Sequence, residues 1–225
     1  MMYNKFVFFF LLFCFQSALT QNNAFSTNYA NWIISTGANS TDIKSNNIDG
    51  TEYIDKNFYS STFSCISEVT PPIRYNTYKE EMEFVLDGKL YYLNKNKDCE
   101  LTINNKTYQY FIDYDKKENN GYLIIINKSK DSKYLLYKKE KVKFIPPYIP
   151  SSPYAEEKPA KYVVEKSKFF IKIQDSLTEF PEKKSDLLKL FPTSKDAIEL
   201  FLNENKIKFN EESSLLVLIN FLNTL

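Results

Sequence analysis

Three observations predict an α+β protein: an antiparallel β meander, forming a bent sheet or partial barrel, with a C-terminal group of about three short helices. Short apolar segments alternating with period two, and joined by turn residues, run from about residue 60 to residue 145. Aromatic residues make up 16% of the chain, and Tyr and Phe suit half-buried pleated surfaces. In the last forty or so residues the apolar spacing lengthens to between three and four, the period of a helix.

The chain opens with Met1–Lys5, which carries one positive charge, then the apolar run Phe6–Phe15, then the polar stretch Gln16-Ser17-Ala18-Leu19-Thr20. These are the parts of an export signal, so residues 1–20 are read as a signal peptide cleaved after Thr20. The apolar run is far shorter than the ~20 residues that span a bilayer as a helix, and no basic cluster follows it. Phe13 is too large for the residue before a lipidated cysteine, which argues against lipid on Cys14. The expectation is an exported protein, periplasmic, cell-surface or secreted, with no transmembrane segment after cleavage. Formal charge is +1, and removal of Lys5 brings it to zero, a balance that favours neither nucleic acid nor an anionic membrane.

Residues 21–50 are rich in Asn, Ser and Thr and read as a loosely ordered lead-in, whose one apolar cluster is Trp32-Ile33-Ile34. Residues 51–225 then form a single α+β domain. Met82, Phe84 and Leu86 alternate with Glu81, Glu83 and Val85, and Asp87-Gly88 turns the chain into Leu90–Leu93. Cys99-x-Leu101-x-Ile103, the Asn104-Asn105 turn and Tyr108-x-Tyr110-x-Ile112 make the next hairpin. Tyr122–Ile126 is apolar on both faces and reads as a central strand; Tyr134–Tyr137 and Val142-x-Phe144 follow. One sheet face is expected to be apolar and the other dressed in Lys and Tyr. Five prolines make residues 146–159 a stiff extended arm, after which Tyr162–Val164 and Phe169–Ile173 form a last strand pair. Ser185, Thr193 or Ser194, and Asn210 are the expected caps of three helices, the last apolar almost all round from Leu215 to Leu222.

Absent residue types constrain the chemistry. The chain has no His, which removes every Ser–His and Cys–His nucleophile pair. Ser-x-x-Lys and G-x-S-x-G patterns are missing, and glycines 37, 50, 88 and 121 lie too far apart to cradle a phosphate. Paired-carboxylate chemistry remains open. No catalytic residue, cofactor or metal site is assigned. Asp113-x-Asp115-x-x-Glu118 suggests calcium, but Lys116 and Lys117 intrude, and a hairpin loop turned by Asn120-Gly121 is the plainer reading. Cys65 and Cys99 either pair as a disulfide or stay as two thiols. Tyr148 and Tyr154 on the proline arm are candidate binding residues, since a stiff aromatic segment loses little entropy on binding.

Arg74 is the sole arginine among 29 basic residues. A planar forked donor is kept where a fork is needed, so Arg74 is expected to bridge Glu81 or Glu83 or to bond backbone carbonyls. The alternative is an exposed charge. Gly50–Asp55, Phe58, Arg74-Tyr75-Asn76 and Lys79–Glu83 together resemble an uncharacterised exported-protein family of the Bacteroidota with an RYN-type motif. The resemblance extends loosely over residues 50–225 and implies a compartment, a β region, a proline-bearing stretch and a helical C-terminus. Asp175-Ser176-Leu177 resembles the O-glycosylation acceptor of that bacterial group, though a surface turn is the plainer reading.

The resulting expectation is a non-catalytic structural or interaction protein of the periplasm or cell surface, with an envelope protein or a glycan as partner. The alternatives are a glycan-binding module or a carboxylate-based glycan-active enzyme. Two acidic side chains in a deep cleft would favour the enzyme, and a flat exposed tyrosine row would favour sugar binding.

Overall fold

The computed structural model describes residues 33–34, 48–67, 69–115, 117, 119–129, 132–151 and 156–225. Residues 1–20, read from the sequence as a signal peptide, most of the lead-in and Tyr154 lie outside them. The described chain is α+β, with mainly antiparallel strands followed by three C-terminal helices.

The strands are β1 (Ile33–Ile34), β2 (Ile48–Asp49), β3 (Ser61–Phe63), β4 (Ile73–Asn76), β5 (Glu81–Leu86), β6 (Lys89–Leu93), β7 (Leu101–Ile103), β8 (Lys106–Phe111), β9 (Gly121–Ile125), β10 (Tyr134–Lys139), β11 (Val142–Ile145), β12 (Ala160–Val164), β13 (Lys168–Ile173) and β14 (Ser176–Glu179). They divide among three sheets, in the orders β1-β6-β5-β4, β14-β13-β10-β9-β8-β7-β3 and β11-β12-β2. The tight turns fall where the sequence puts them. Asp87 and Gly88 take positive φ between β5 and β6, and Asn104 and Asn105 do so between β7 and β8. β9 is fourth of seven in the largest sheet, and Tyr122, Leu123 and Ile124 are all buried, as its two-sided apolar pattern requires.

Two parts of the lead-in are strands. β1 pairs with the edge of β6, and β2 runs parallel to β12. Edge strands carry unpaired backbone groups, and these short segments satisfy them. β12 and β13 do not pair with each other: β12 pairs with β11 and β13 with β10 and β14. The proline arm is therefore the long connection of the β11–β12 hairpin, closed at its base by a bridge between Tyr148 and Lys158.

One face of the large sheet is covered by two different partners. Over β7–β9 lies the four-stranded sheet β1-β6-β5-β4 (hereafter the small sheet), and Ile73, Tyr75, Met82 and Phe84 pack there on Leu101, Ile103, Tyr108, Tyr110, Tyr122 and Ile124. Over β10 and β13 lie α1 (Lys184–Leu190), α2 (Lys195–Asn205) and α3 (Glu212–Leu222), which bury Leu187, Ile198, Leu202, Leu215, Leu218, Ile219 and Leu222 against Leu136, Phe169 and Ile171. The opposite face is not simply solvated. Leu123, Tyr137 and Phe170 are at most 1% exposed there, under Tyr114 from the β8–β9 loop. The expected helix caps are not used: Ser185 lies inside α1, and neither Ser194 before α2 nor Glu211 before α3 makes a side-chain cap bond. Tertiary burial of the apolar stripes holds these helices instead.

Candidate functional site

β4 and β5 pair so that Arg74 faces Glu83, and the Glu83 carboxylate is fully buried. Arg74 Nε donates to Glu83 Oε2 at 2.7 Å, and another guanidinium nitrogen donates to the Tyr53 hydroxyl at 2.8 Å. That hydroxyl in turn donates to Glu83 at 2.9 Å. The guanidinium lies between the rings of Tyr53 and Phe58, 4.2 and 4.4 Å from their centroids. Asn76 Nδ2 joins Glu83 to Glu52, and Glu52 also receives Lys79 and the Tyr162 hydroxyl. Burial pulls the Glu52 carboxyl up, but the Asn76, Lys79 and Tyr162 contacts outweigh it and hold the group below its ordinary value. The motif Arg74-Tyr75-Asn76 is thus the hub that fastens residues 52–58 to the small sheet.

Tyr75, between those two residues, reaches the opposite way. Its hydroxyl donates to Glu80, whose carboxylate also accepts the Tyr122 N–H and pairs with Lys139. Lys139 is 3% exposed, and its ammonium meets three acceptors: Glu80, the Tyr75 hydroxyl and the Tyr122 carbonyl. That matches its three donors. Burial lowers the Lys139 pKa despite the carboxylate beside it. Gly121 leaves room for this pair: a Cβ there would stand 2.5 Å from Glu80 Oε2 and 2.9 Å from Lys139 Nζ, so a larger residue would have to displace their ends.

Two depressions open beside these networks. The first is an apolar groove of about 560 Å³ including its open mouth, between β3, the small sheet and β7. Phe63, Ile66, Pro71, Ile73, Phe84 and Leu93 form most of its wall, Asn94 and Asn96 stand among its polar lining, and among the described residues no charged side chain lines it. Cys99 also lines it and is joined to Cys65 as a disulfide, Cα–Cα 5.5 Å, which ties one wall to the other. The second depression is polar and contains Arg74, Tyr108, Lys106 and Glu140.

Of the residues singled out in the sequence, Arg74 lies on the wall of the polar cleft, and the Cys65–Cys99 bond borders the groove. Tyr148 is 54% exposed on the arm and lines neither depression. Within the β8–β9 loop Asp115 is taken up by the Lys117 N–H and the Asn119 amide, a closed turn. Among the described residues no group of three or more Cys, Asp or Glu side chains is placed to hold a metal ion. Sequence reading missed Glu80 with Lys139 and the placing of Tyr108 on the cleft: one depends on strands far apart in the chain, and tyrosine alternation marks neither.

No helix among the described residues is long and apolar enough to cross a membrane. No family model matches the chain, and no curated protein and no solved structure matches it either.

Proposed function

We propose that this chain is an exported, non-catalytic interaction module of the periplasm or cell surface, whose contact site is the groove beside the disulfide. The observation that carries the reading is that groove: an open apolar wall with no charge among its described residues, in a protein whose buried ion pairs are answered internally. A lining of this kind takes an apolar anchor side chain, with the Asn94 and Asn96 amides available to the backbone of an extended segment. The occupant in this reading is an apolar-anchored segment of an envelope protein. The disulfide supports an oxidising compartment. The export signal and the family resemblance around Arg74-Tyr75-Asn76 point the same way. In the same reading the seven-stranded sheet is bent, or curls towards a partial barrel, which carries its one face from the small sheet to the helices.

A photo-cross-linker at Thr70, on the groove wall, tests the proposal in native envelopes. A discrete protein adduct is expected, and Ile66→Glu, which puts a charge in the groove, should abolish it without lowering the melting temperature. No adduct at Thr70, or one that survives Ile66→Glu, overturns the reading.

A further inference from the structure

The polar cleft lies where residues 54–59, β4 and the β7–β8 hairpin meet. Asp55, Asn57, Tyr59, Arg74, Lys106 and Glu140 stand on its walls. The two carboxylates and two cations cancel formally, and each already has a partner. Arg74 pairs with Glu83, and Lys106 Nζ reaches both Glu140 oxygens at 3.0 Å. Asp55 accepts the Tyr59 hydroxyl at 2.7 Å and the Asn57 N–H at 3.0 Å. A cleft so balanced offers an ion no excess of either sign. It offers instead a dense mixture of acceptors and donors, because each carboxylate oxygen keeps spare lone pairs and the Asn57 and Asn104 amides carry both kinds of group.

Tyr108 is the group that points to a ligand. The residue is 6% exposed and lines the cleft, and its hydroxyl, which is not enclosed, is open to the cleft. Burial raises its pKa, and the charges of Glu140 and Asp55, both cleft residues, push it further. The phenol therefore faces the cleft carboxylates without being bonded to them. A phenol tip open to the cleft on an otherwise buried side chain is held in place and can donate to, or accept from, a bound ligand in place of water.

We propose that this cleft binds a neutral, hydroxyl-rich ligand, a short stretch of uncharged oligosaccharide. The hydroxyls of a sugar donate to carboxylates and accept from amides, a phenol and an ammonium group at the same time, which is the alternation the walls present. An apolar ligand would leave those groups dry and unpaired. The two carboxylates serve recognition and not glycoside hydrolysis. Asp55 is held below the ordinary carboxylate range by the Tyr59 hydroxyl, whereas a general acid needs its pKa raised. Glu140 is closed onto Lys106 and Lys138. The cleft shares no lining residue with the groove except through neighbouring strands, so the two sites stand or fall separately.

Calorimetric titration of the full mature chain with cellotetraose, chitotetraose and mannotetraose tests this, with a galacturonate trisaccharide as the acidic comparison. Saturable binding of at least one neutral tetrasaccharide at millimolar concentration is expected. Tyr108→Phe should weaken it by about three- to tenfold, the worth of one neutral hydrogen bond. The same change should leave the melting temperature unlowered, because the hydroxyl has no internal bond to lose. Should Tyr108→Phe fail to fold, Asn57→Ala takes its place, with the same loss of affinity expected. Ile66→Glu should leave sugar affinity unchanged. The proposal is overturned if no neutral tetrasaccharide binds, if only the acidic one does, or if the cleft variants bind as tightly as the unmodified chain.

Discussion

Arg74 is gripped on every side that a guanidinium presents. Two aromatic rings cover its faces, and Glu83 and the Tyr53 hydroxyl take its edge. Lysine keeps the charge but has neither the fork nor the flat face. Arg74→Lys is therefore expected to cost about 1–3 kcal/mol, read as a shift of the urea midpoint. A midpoint equal to that of the unmodified chain would assign the guanidinium no structural part. The rarity of arginine and the acidic run after it made this pair legible. The choice between Glu81 and Glu83 was not, because it depends on where the Thr77–Glu80 turn sets the β4–β5 register: Glu81 falls opposite Asn76 and Glu83 opposite Arg74. Lys139 and Glu80 were not legible at all. Lys139 sits in the run Lys138-Lys139-Glu140, which reads as a solvated charged face, and strand alternation alone turns Lys139 away from its two neighbours.

Among the helices, α3 buries the most side chains. Leu215, Leu218, Ile219 and Leu222 are each 0% exposed, packed with the other helices over β10 and β13. Leu218→Ala should cost about 2–5 kcal/mol through the cavity it leaves, measured by chemical unfolding. Removal of residues 210–225 should leave an aggregating chain, since the apolar face over Leu136 and Ile171 would lie open. A truncated protein that stays monomeric with an unchanged melting temperature would contradict the packing described. Helix period made these elements visible in the sequence, but capping chemistry misplaced their starts, because buried leucines outweigh a cap bond worth about 1 kcal/mol. The Cys65–Cys99 bond works differently, by restraining the unfolded chain over a sequence separation of 34. Replacing both cysteines by serine is expected to cost about 2–4 kcal/mol, and thiol reductant should lower the melting temperature only of the unmodified chain.

Across the whole molecule, buried phenols set the alkaline limit. Burial raises the pKa of Tyr75, Tyr108 and Tyr122, and lifts that of Tyr137 to about 12. The unfolded chain releases these protons near its ordinary tyrosine value, so their contribution is complete below about pH 10 and is lost as pH climbs towards the folded values. Each costs up to about 1.4 kcal/mol per pH unit in that window. Lys139 acts in the opposite direction, because its pKa is lowered by burial and its folded form sheds a proton first, but it is one group against several. Urea midpoints should hold steady up to about pH 10 and then fall steeply, with phenolate absorbance rising in the same step. A midpoint maintained well above that pH would show that these hydroxyls are freer than their burial implies. The meander was readable because its hairpins are local, whereas the division into three sheets was not, because β2 meets β12 across about half of the chain. That parallel pairing has a consequence for biogenesis. Synthesis delivers Ile48 and Asp49 long before Ala160 and Lys161, so an early segment must wait, unpaired, until its late partner arrives, and a stalled ribosome leaves that edge exposed to any protease or chaperone that reads extended backbone.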